Sequence, residues 1–230
     1  MLEISRSKKI QRELRSLILV KEQFKPGEKL PTENSLAKSF NVSRPMIREA
    51  IKALEAQGVL VTKHGSGTFV ADYPGFSNDP LGLADLKDKT PLLRNWYEAR
   101  MAIESEVVRM VVKNATEEDI QTIEKCVHEV ETAIKYGDKE FLKKDRKFHI
   151  ALAYATHNPV MERIVIVLMR SFYYSITDSL ELTWYKSAME NAHLHHQRIL
   201  KAIIERDDVG AMLAIRSHMN QALHDLDTHH

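Results

Sequence analysis

Residues 27–71 read GEKLPTENSLAKSFNVSRPMIREAIKALEAQGVLVTKHGSGTFVA and contain the signals for two short helices followed by a hairpin. Thr32 can cap a first helix that begins at Glu33, because its hydroxyl can accept a hydrogen bond from a free N–H of the first turn. One face of that helix is apolar and carries Leu36, Ala37 and Phe40. The triplet Asn41-Val42-Ser43 then interrupts the helical period, so the first helix is predicted to end there.

A second helix is predicted to begin at about Arg44, with Ser43 as its N-cap. Pro45 suits the first turn, since proline lacks the amide that would be unpaired there. Apolar residues at spacings of three and four predict a buried stripe formed by Ile47, Ala50, Ile51 and Leu54. Gly58 can end the helix as a left-handed cap residue.

Two short apolar runs follow the second helix and predict a β-hairpin. They cover residues 59–61 and 68–70, and the loop between them contains two glycines. A different face of the second helix is basic and carries Arg44, Arg48 and Lys52. A helix with such a face fits the major groove of DNA, which is wide enough to admit it. The order of helix, turn, basic helix and hairpin therefore predicts a winged helix-turn-helix that binds double-stranded DNA.

Three blocks of this stretch resemble the GntR family of bacterial transcription regulators, namely GEKLPTE, SRxxIREAIxxLEAQGVL and HGSGTFV. In that family the start of the second helix and the β-hairpin, which is called the wing, usually contact DNA. This sequence departs from the family pattern at two places that affect which bases are read. Asn34 stands where many relatives have an arginine, and Pro45-Met46 replaces a commoner small polar pair. The resemblance implies DNA contacts by Ser43, Arg44, Arg48, His64 and Gly65.

Composition and charge indicate two domains with different partners. The chain has 230 residues, of which 43% are hydrophobic, which is ample for a buried core. The net charge is only +1, but residues 1–72 hold 13 basic and 8 acidic residues, whereas the remainder holds 20 and 24. Positive charge thus lies in the part predicted to meet DNA. Because turn formers cluster after residue 72, we predict a DNA-binding domain at 1–72, a linker at 73–90 and a helical domain at 91–230.

The sequence gives no sign of export or of a membrane segment. The first residues, MLEISRSKKIQRELRS, lack the apolar run of a signal peptide. Cys126 is the single cysteine and has no partner for an intrachain disulfide. We therefore expect a protein of the reducing cytoplasm that does not enter a membrane.

The chain beyond residue 91 is predicted to be all helical, because only Gly137, Pro159 and Gly210 follow Pro91 as helix breakers. We predict six helices packed as an antiparallel bundle, so the fold class is mainly α with one small hairpin. The breaks between helices are predicted at Asn114-Ala115-Thr116, Gly137-Asp138, His157-Asn158-Pro159, Thr177-Asp178 and Asp207-Asp208.

Asp145 and His149 lie four residues apart, so they share a helix face and can bind one ion. His196 and His218 are predicted on the last two helices, and these residue types are ligands of zinc, nickel or manganese. The chain has 11 histidines, so coincidental pairs are expected and spacing alone leaves the site open. We interpret five of the other histidines as surface or tail residues, namely His193, His195, His224, His229 and His230.

Roughly residues 92–226 resemble the ligand-binding domain of the FadR subgroup, called FCD. The resemblance is carried by Tyr97-Glu98-Ala99-Arg100 with Glu104, by the pair Asp145 and His149, and by segments around the later histidines. Matching positions bind an ion in metal-containing members. The resemblance therefore implies one divalent transition metal per chain, which is zinc, nickel or manganese, bound by Asp145, His149, His196 and His218.

Arg100 has two interpretations that the sequence leaves open. Family members often sense small organic acids, and the planar guanidinium could pair with a carboxylate held against the metal. Alternatively, Arg100 forms an ordinary ion pair with Glu104, four residues away.

The hypothesis from the sequence is a homodimeric transcription regulator, by default a repressor, that binds a roughly palindromic operator and responds to a small carboxylate effector. One alternative is a metal-sensing repressor, in which the ion itself is the signal. Another is a metalloenzyme that activates water. The enzyme is disfavoured because no separate general base is identifiable, and we predict that the protein is not an enzyme.

Overall fold

The computed structural model describes residues 6–76, 79–83, 89–137, 140–176 and 183–228, with the backbone alone at 89–90, 172–176 and 183–190. Contacts between residues divide the chain into two compact units, Met1–Pro80 and Leu81–His230. The predicted limits of the DNA-binding domain, the linker and the helical domain remain predictions.

The N-terminal unit contains three helices and a two-stranded antiparallel sheet within the part of the chain that the structure describes. These elements are α1 Arg6–Leu19, α2 Glu33–Ser39, α3 Arg44–Ala56, β1 Leu60–Lys63 and β2 Gly67–Val70. The strands pair from Leu60 opposite Val70 to Lys63 opposite Gly67. The hairpin ladder therefore extends nearer to its tip than the apolar runs predict, because backbone pairing does not require apolar side chains.

Helix α1 is an element that the sequence prediction does not include. Its buried residues Ile10, Leu14 and Ile18 are spaced four apart and join the core that contains Ile47 and Leu54 of α3. Packing against α1 buries the apolar stripe of α3. The basic face of α3 stays exposed to solvent.

Capping residues mark where α2 and α3 begin and where α3 ends. Thr32 accepts a hydrogen bond from the N–H of Ser35 at 3.2 Å, as the sequence predicts for a cap. Ser43 occupies the N-cap of α3, as predicted, although its hydroxyl makes no capping bond. Gly58 adopts a left-handed φ of 64°, and its N–H donates to the carbonyl of Glu55 at 2.9 Å.

The C-terminal unit contains six helices within the described residues, as predicted. They are α4 Lys89–Asn114, α5 Glu117–Tyr136, α6 Phe141–Tyr154, α7 Pro159–Ile176, α8 Thr183–Ile204 and α9 Asp208–Thr228. Thr116 and Asp119 form a reciprocal capping box at the start of α5, and Gly137 ends that helix with a φ of 62°. Asp138 and the predicted break at Thr177-Asp178 lie outside the described residues.

Helix packing brings four helices of the bundle around one interior. Helix α4 packs along α9 and α7, α8 packs along α9, and α4 also contacts α6 and α8. Side chains on the inner faces of α4, α6, α8 and α9 can therefore meet. The prediction of a mainly α fold with a small β-hairpin and a helical bundle is confirmed.

Candidate metal centre and DNA-binding surface

Four potential metal ligands meet inside the helical bundle. Asp145 and His149 come from α6, His196 comes from α8 and His218 comes from α9. One ligand atom from each residue lies within 4.8 Å of the others. The side chains of His149 and His196 are fully buried and that of Asp145 is 17% exposed. The structure therefore brings together all four residues that the sequence identifies as candidate ligands.

A hydrogen bond to Glu104 orients the ring of His149. Nδ1 of His149 lies 2.5 Å from Oε2 of Glu104, so the Nδ1–H tautomer donates to the carboxylate. Nε2 then carries the lone pair. It lies 3.8 Å from Oδ2 of Asp145 and is buried without a hydrogen-bond partner. This arrangement, in which a carboxylate holds the far nitrogen of a histidine, is typical of metal-ligating histidines.

His196 and His218 complete the group as neutral rings. Both ring nitrogens of His196 are buried without a hydrogen-bond partner, and Nε2 lies 3.4 Å from Oδ1 of Asp145. Burial, followed by repulsion from neighbouring histidines and Arg100, lowers the pKa of both His196 and His218 well below its usual value. Neutral imidazoles offer lone pairs, and unpaired buried nitrogens are costly. The donor set therefore fits a divalent transition metal.

Arg100 both pairs with Glu104 and keeps a donor free. Its Nε donates to Oε1 of Glu104 at 2.6 Å, and its guanidinium carbon lies 4.5 Å from the centre of the Trp96 ring. Arg100 is 2% exposed, yet its Nη2 has no hydrogen-bond partner. The ion pair that the sequence leaves open is thus present, and it uses only part of the guanidinium.

Glu104 links Arg100 to His149, one of the four candidate metal ligands. Burial raises its pKa, but attraction to Arg100 and His149 and the hydrogen bonds from both residues outweigh that effect and lower the pKa to about 2. The sequence shows the spacing of four from Arg100, but it gives no signal for the bond to His149, which is 45 residues away. That bond depends on the packing of α4 against α6.

The other histidines agree with the sequence interpretation in some cases and not in others. His195, predicted at the surface, is 7% exposed, and its ring centre lies 5.7 Å from that of His218. His157 has no carboxylate at helical spacing, but the fold places its Nε2 2.7 Å from Oδ2 of Asp119. His193 is half-buried and His224 is exposed, whereas His229 and His230 lie outside the described residues.

The candidate DNA contacts lie at the start of α3 and at the tip of the hairpin. Arg44 and Arg48 are one helical turn apart, and their side chains are 54% and 51% exposed. The hydroxyl of Ser43 is exposed and is not used as a cap. His64 and Gly65 occupy the turn between the strands, where Gly65 adopts a φ of 73°. Glycine adopts this conformation without a steric penalty.

An acidic side chain contacts both arginines of this surface. Oε2 of Glu33, the first residue of α2, accepts a hydrogen bond from Nε of Arg44 at 2.7 Å. The same carboxylate accepts from Nε and Nη2 of Arg48 at 3.1 Å and 2.9 Å. Glu33 is absent from the sequence-based site, because it lies 11 and 15 residues from its two partners.

Comparison with known families and proteins assigns both units. Residues 6–70 match the bacterial regulatory proteins of the gntR family, and residues 95–221 match the FCD domain. Among the helices described, none has both the length and the apolar character needed to cross a bilayer.

Individual proteins resemble the chain along most of its length. The solved structure of Streptococcus agalactiae GntR is 30% identical, with a TM-score of 0.65, and the match covers 94% of this chain and 97% of that one. The HTH-type transcriptional repressor NanR of Citrobacter rodentium is 28% identical over 229 residues, covering 93% of this chain and 82% of NanR. The uncharacterized HTH-type transcriptional regulator YcbG of Bacillus subtilis is 29% identical over 197 residues, covering 86% and 80%.

These families and relatives are transcription regulators, which agrees with the prediction that the protein is not an enzyme. The FCD match spans more than half of the chain, and the gntR match coincides with the winged helix-turn-helix. The chain therefore belongs to the GntR family of DNA-binding bacterial transcription regulators and carries an FCD domain.

Proposed function

We propose that the protein is a cytoplasmic homodimeric repressor whose operator affinity is set by a small carboxylate bound beside a divalent metal ion. The observation that carries the proposal is a buried arginine with a free donor in the same bundle interior as four clustered candidate metal ligands, two of which, His149 and His196, have buried nitrogens without a hydrogen-bond partner. Nη2 of Arg100 has no hydrogen-bond partner, and the charge of Arg100 interacts with that of Asp145. A buried donor left unpaired costs about 1–3 kcal/mol. A ligand with an anionic oxygen would remove that cost.

One zinc, nickel or manganese ion would be held by Asp145, His149, His196 and His218. When bound, such an ion supplies a Lewis acid that attracts a carboxylate oxygen. The protein's own groups orient the acid. Nη2 of Arg100 can donate to the second carboxylate oxygen, while the Trp96 ring lies against the guanidinium and restricts its movement.

DNA would be bound by Ser43, Arg44, Arg48, His64 and Gly65. Contacts to phosphates would supply most of the affinity, and contacts to base edges most of the discrimination. Two copies of the winged helix related by a twofold axis read two half-sites, so the operator would be roughly palindromic. Repression is the proposed direction because NanR, which resembles the chain, is named as a repressor.

The acid and the operator would act on one equilibrium between two states of the dimer. The acid changes operator affinity only if it binds one of these states more tightly than the other. By thermodynamic linkage, operator DNA must then change the affinity for the acid by the same factor. Titrations in both directions that give different factors would contradict this model.

A binding experiment tests the sensing site. Untagged protein is assayed for metal and then for binding to a DNA duplex that it has selected from a random pool, with and without a panel of small carboxylates. We expect at least one acid to change operator affinity and Arg100→Lys to abolish that response, because lysine keeps the charge but loses the planar fork. The control is Arg109→Lys, an exposed position on the same helix.

The same experiment separates the acid sensor from the metal sensor. If removal of the metal with a chelator changes operator affinity and no acid does so, the ion itself is the signal. If neither chelation nor any acid affects DNA binding, the proposed sensing site is wrong. Thermal unfolding of Arg100→Lys in parallel shows whether a lost response reflects a lost fold.

A further inference from the structure

Glu33 forms an ion cluster with the two arginines of the candidate DNA surface. Its carboxylate accepts one hydrogen bond from Arg44 and two from Arg48, at distances between 2.7 and 3.1 Å. The cluster joins the start of α2 to the start of α3. It lies at the solvent-exposed surface, since the side chain of Glu33 is 26% exposed and those of the arginines are about half exposed.

The cluster changes the charge that the surface presents. Hydrogen bonds from Arg48 and then from Arg44 lower the pKa of Glu33 to about 2, so the carboxylate is ionised at physiological pH. Two arginines and one carboxylate carry one net positive charge in place of two. Binding to DNA of any sequence depends on neutralising phosphates. An anion at this position therefore weakens binding that relies on phosphate attraction alone.

The cluster also restricts the shape of the surface. Arg48 meets the carboxylate through two parallel N–H groups, which fixes the plane of its guanidinium. Arginine has many rotamers, and restricting them before binding reduces the entropy that a base contact costs. A guanidinium that is already oriented can make the bidentate contact with guanine that discriminates between bases.

We infer that Glu33 is a specificity-determining residue, which weakens binding to non-operator DNA and orients Arg44 and Arg48 for contacts with operator bases. The inference rests on the proposed roles of these two arginines as DNA contacts. It goes beyond them, because it assigns a role to an acidic residue outside the proposed set of DNA contacts.

The experiment compares Glu33→Gln with the unchanged protein and with Glu49→Gln. Glu49 is an exposed acidic residue of α3 itself, so its replacement removes the same charge nearby without touching the cluster. Affinity is measured at several salt concentrations for a duplex selected by the protein from a random pool and for a scrambled duplex of equal length. Arg48→Ala is measured beside them.

For Glu33→Gln we expect tighter binding to the scrambled duplex and a fall of about tenfold in the ratio of operator to scrambled affinity, which is within the range of one bidentate contact. For Glu49→Gln we expect both affinities to rise together, so that the ratio is preserved. An unchanged ratio in Glu33→Gln, or an equal fall of both affinities, would overturn the inference. If Arg48→Ala leaves the ratio unchanged, the proposed DNA contacts fail as well, which distinguishes the two failures.

Discussion

The substitution Glu104→Gln is expected to weaken metal binding and to destabilise the helical unit. Oε1 of Glu104 accepts from Nε of Arg100 at 2.6 Å, Oε2 lies 2.5 Å from Nδ1 of His149, and the side chain is 1% exposed. Glutamine has nearly the same shape, but it carries no charge and has only one acceptor oxygen. The glutamine oxygen can therefore accept a hydrogen bond from Arg100 or from His149. The NH₂ group must then face the N–H of the remaining residue.

Two magnitudes follow from these contacts. Loss of the carboxylate that holds a metal-ligating histidine typically lowers metal affinity about 10- to 100-fold. Removal of one partner of a buried ion pair costs about 3–5 kcal/mol, because the guanidinium of Arg100 stays buried without its counter-ion. For a folded unit of this size, such a loss lowers the melting temperature by roughly 10 °C.

The two effects are measured separately. Metal affinity is determined by competition with a chelator at a temperature where circular dichroism shows the variant to be folded, and stability is determined by thermal unfolding of the metal-free protein. The control is Glu106→Gln, because Glu106 lies on the same helix and forms an exposed ion pair with Arg109. If Glu104→Gln does not fold, Glu104→Asp keeps the charge and is expected to bind metal more weakly because it is shorter. Metal affinity within twofold of the unchanged protein in a folded Glu104 variant would refute the reasoning.

Four other substitutions test the remaining parts of the structure. Arg48→Ala is expected to weaken operator binding roughly 5- to 150-fold and to relax specificity at one base pair, measured by binding to single-base operator variants; equal binding by all of them would remove Arg48 from base reading. Lys52→Ala should weaken binding to all duplexes alike and reduce the slope of log affinity against log salt by about 0.9, a change that salt titrations would detect. His196→Ala should lose the metal ion, about one per chain in the unchanged protein, and elemental analysis that finds equal metal in both would contradict the four-ligand site. Thr116→Ala should cost about 1 kcal/mol of stability, because it removes the capping box with Asp119, and denaturant unfolding that shows no loss would contradict this.

Local patterns in the sequence predict the winged helix, and they identify four candidate ligands that the fold brings together. The helical period alone places Asp145 and His149 on one helix face. His196 and His218 can join them because each is predicted on another helix of the bundle. The bonds of Glu104 to His149 and of Glu33 to Arg48 join residues 45 and 15 positions apart. They depend on how helices pack, and no local pattern encodes that. The same helical periodicity could have identified helix α1, since its buried residues are four apart.

Under the proposed function, the contacts of Arg100 are the reason to expect an acid, and not the metal ion, as the signal. Its Nε is already committed to Glu104, whereas Nη2 is unpaired. A carboxylate bound to Nη2 would add a contact without breaking the ion pair, so Glu104 could continue to hold His149 while the acid binds and leaves. Loss of a bound metal ion, in contrast, would leave Nε2 of His149 and both ring nitrogens of His196 buried without a partner, which is costly in a bundle interior. A site that would release an acid at a low cost in free energy and a metal ion at a high cost is suited to respond to the acid.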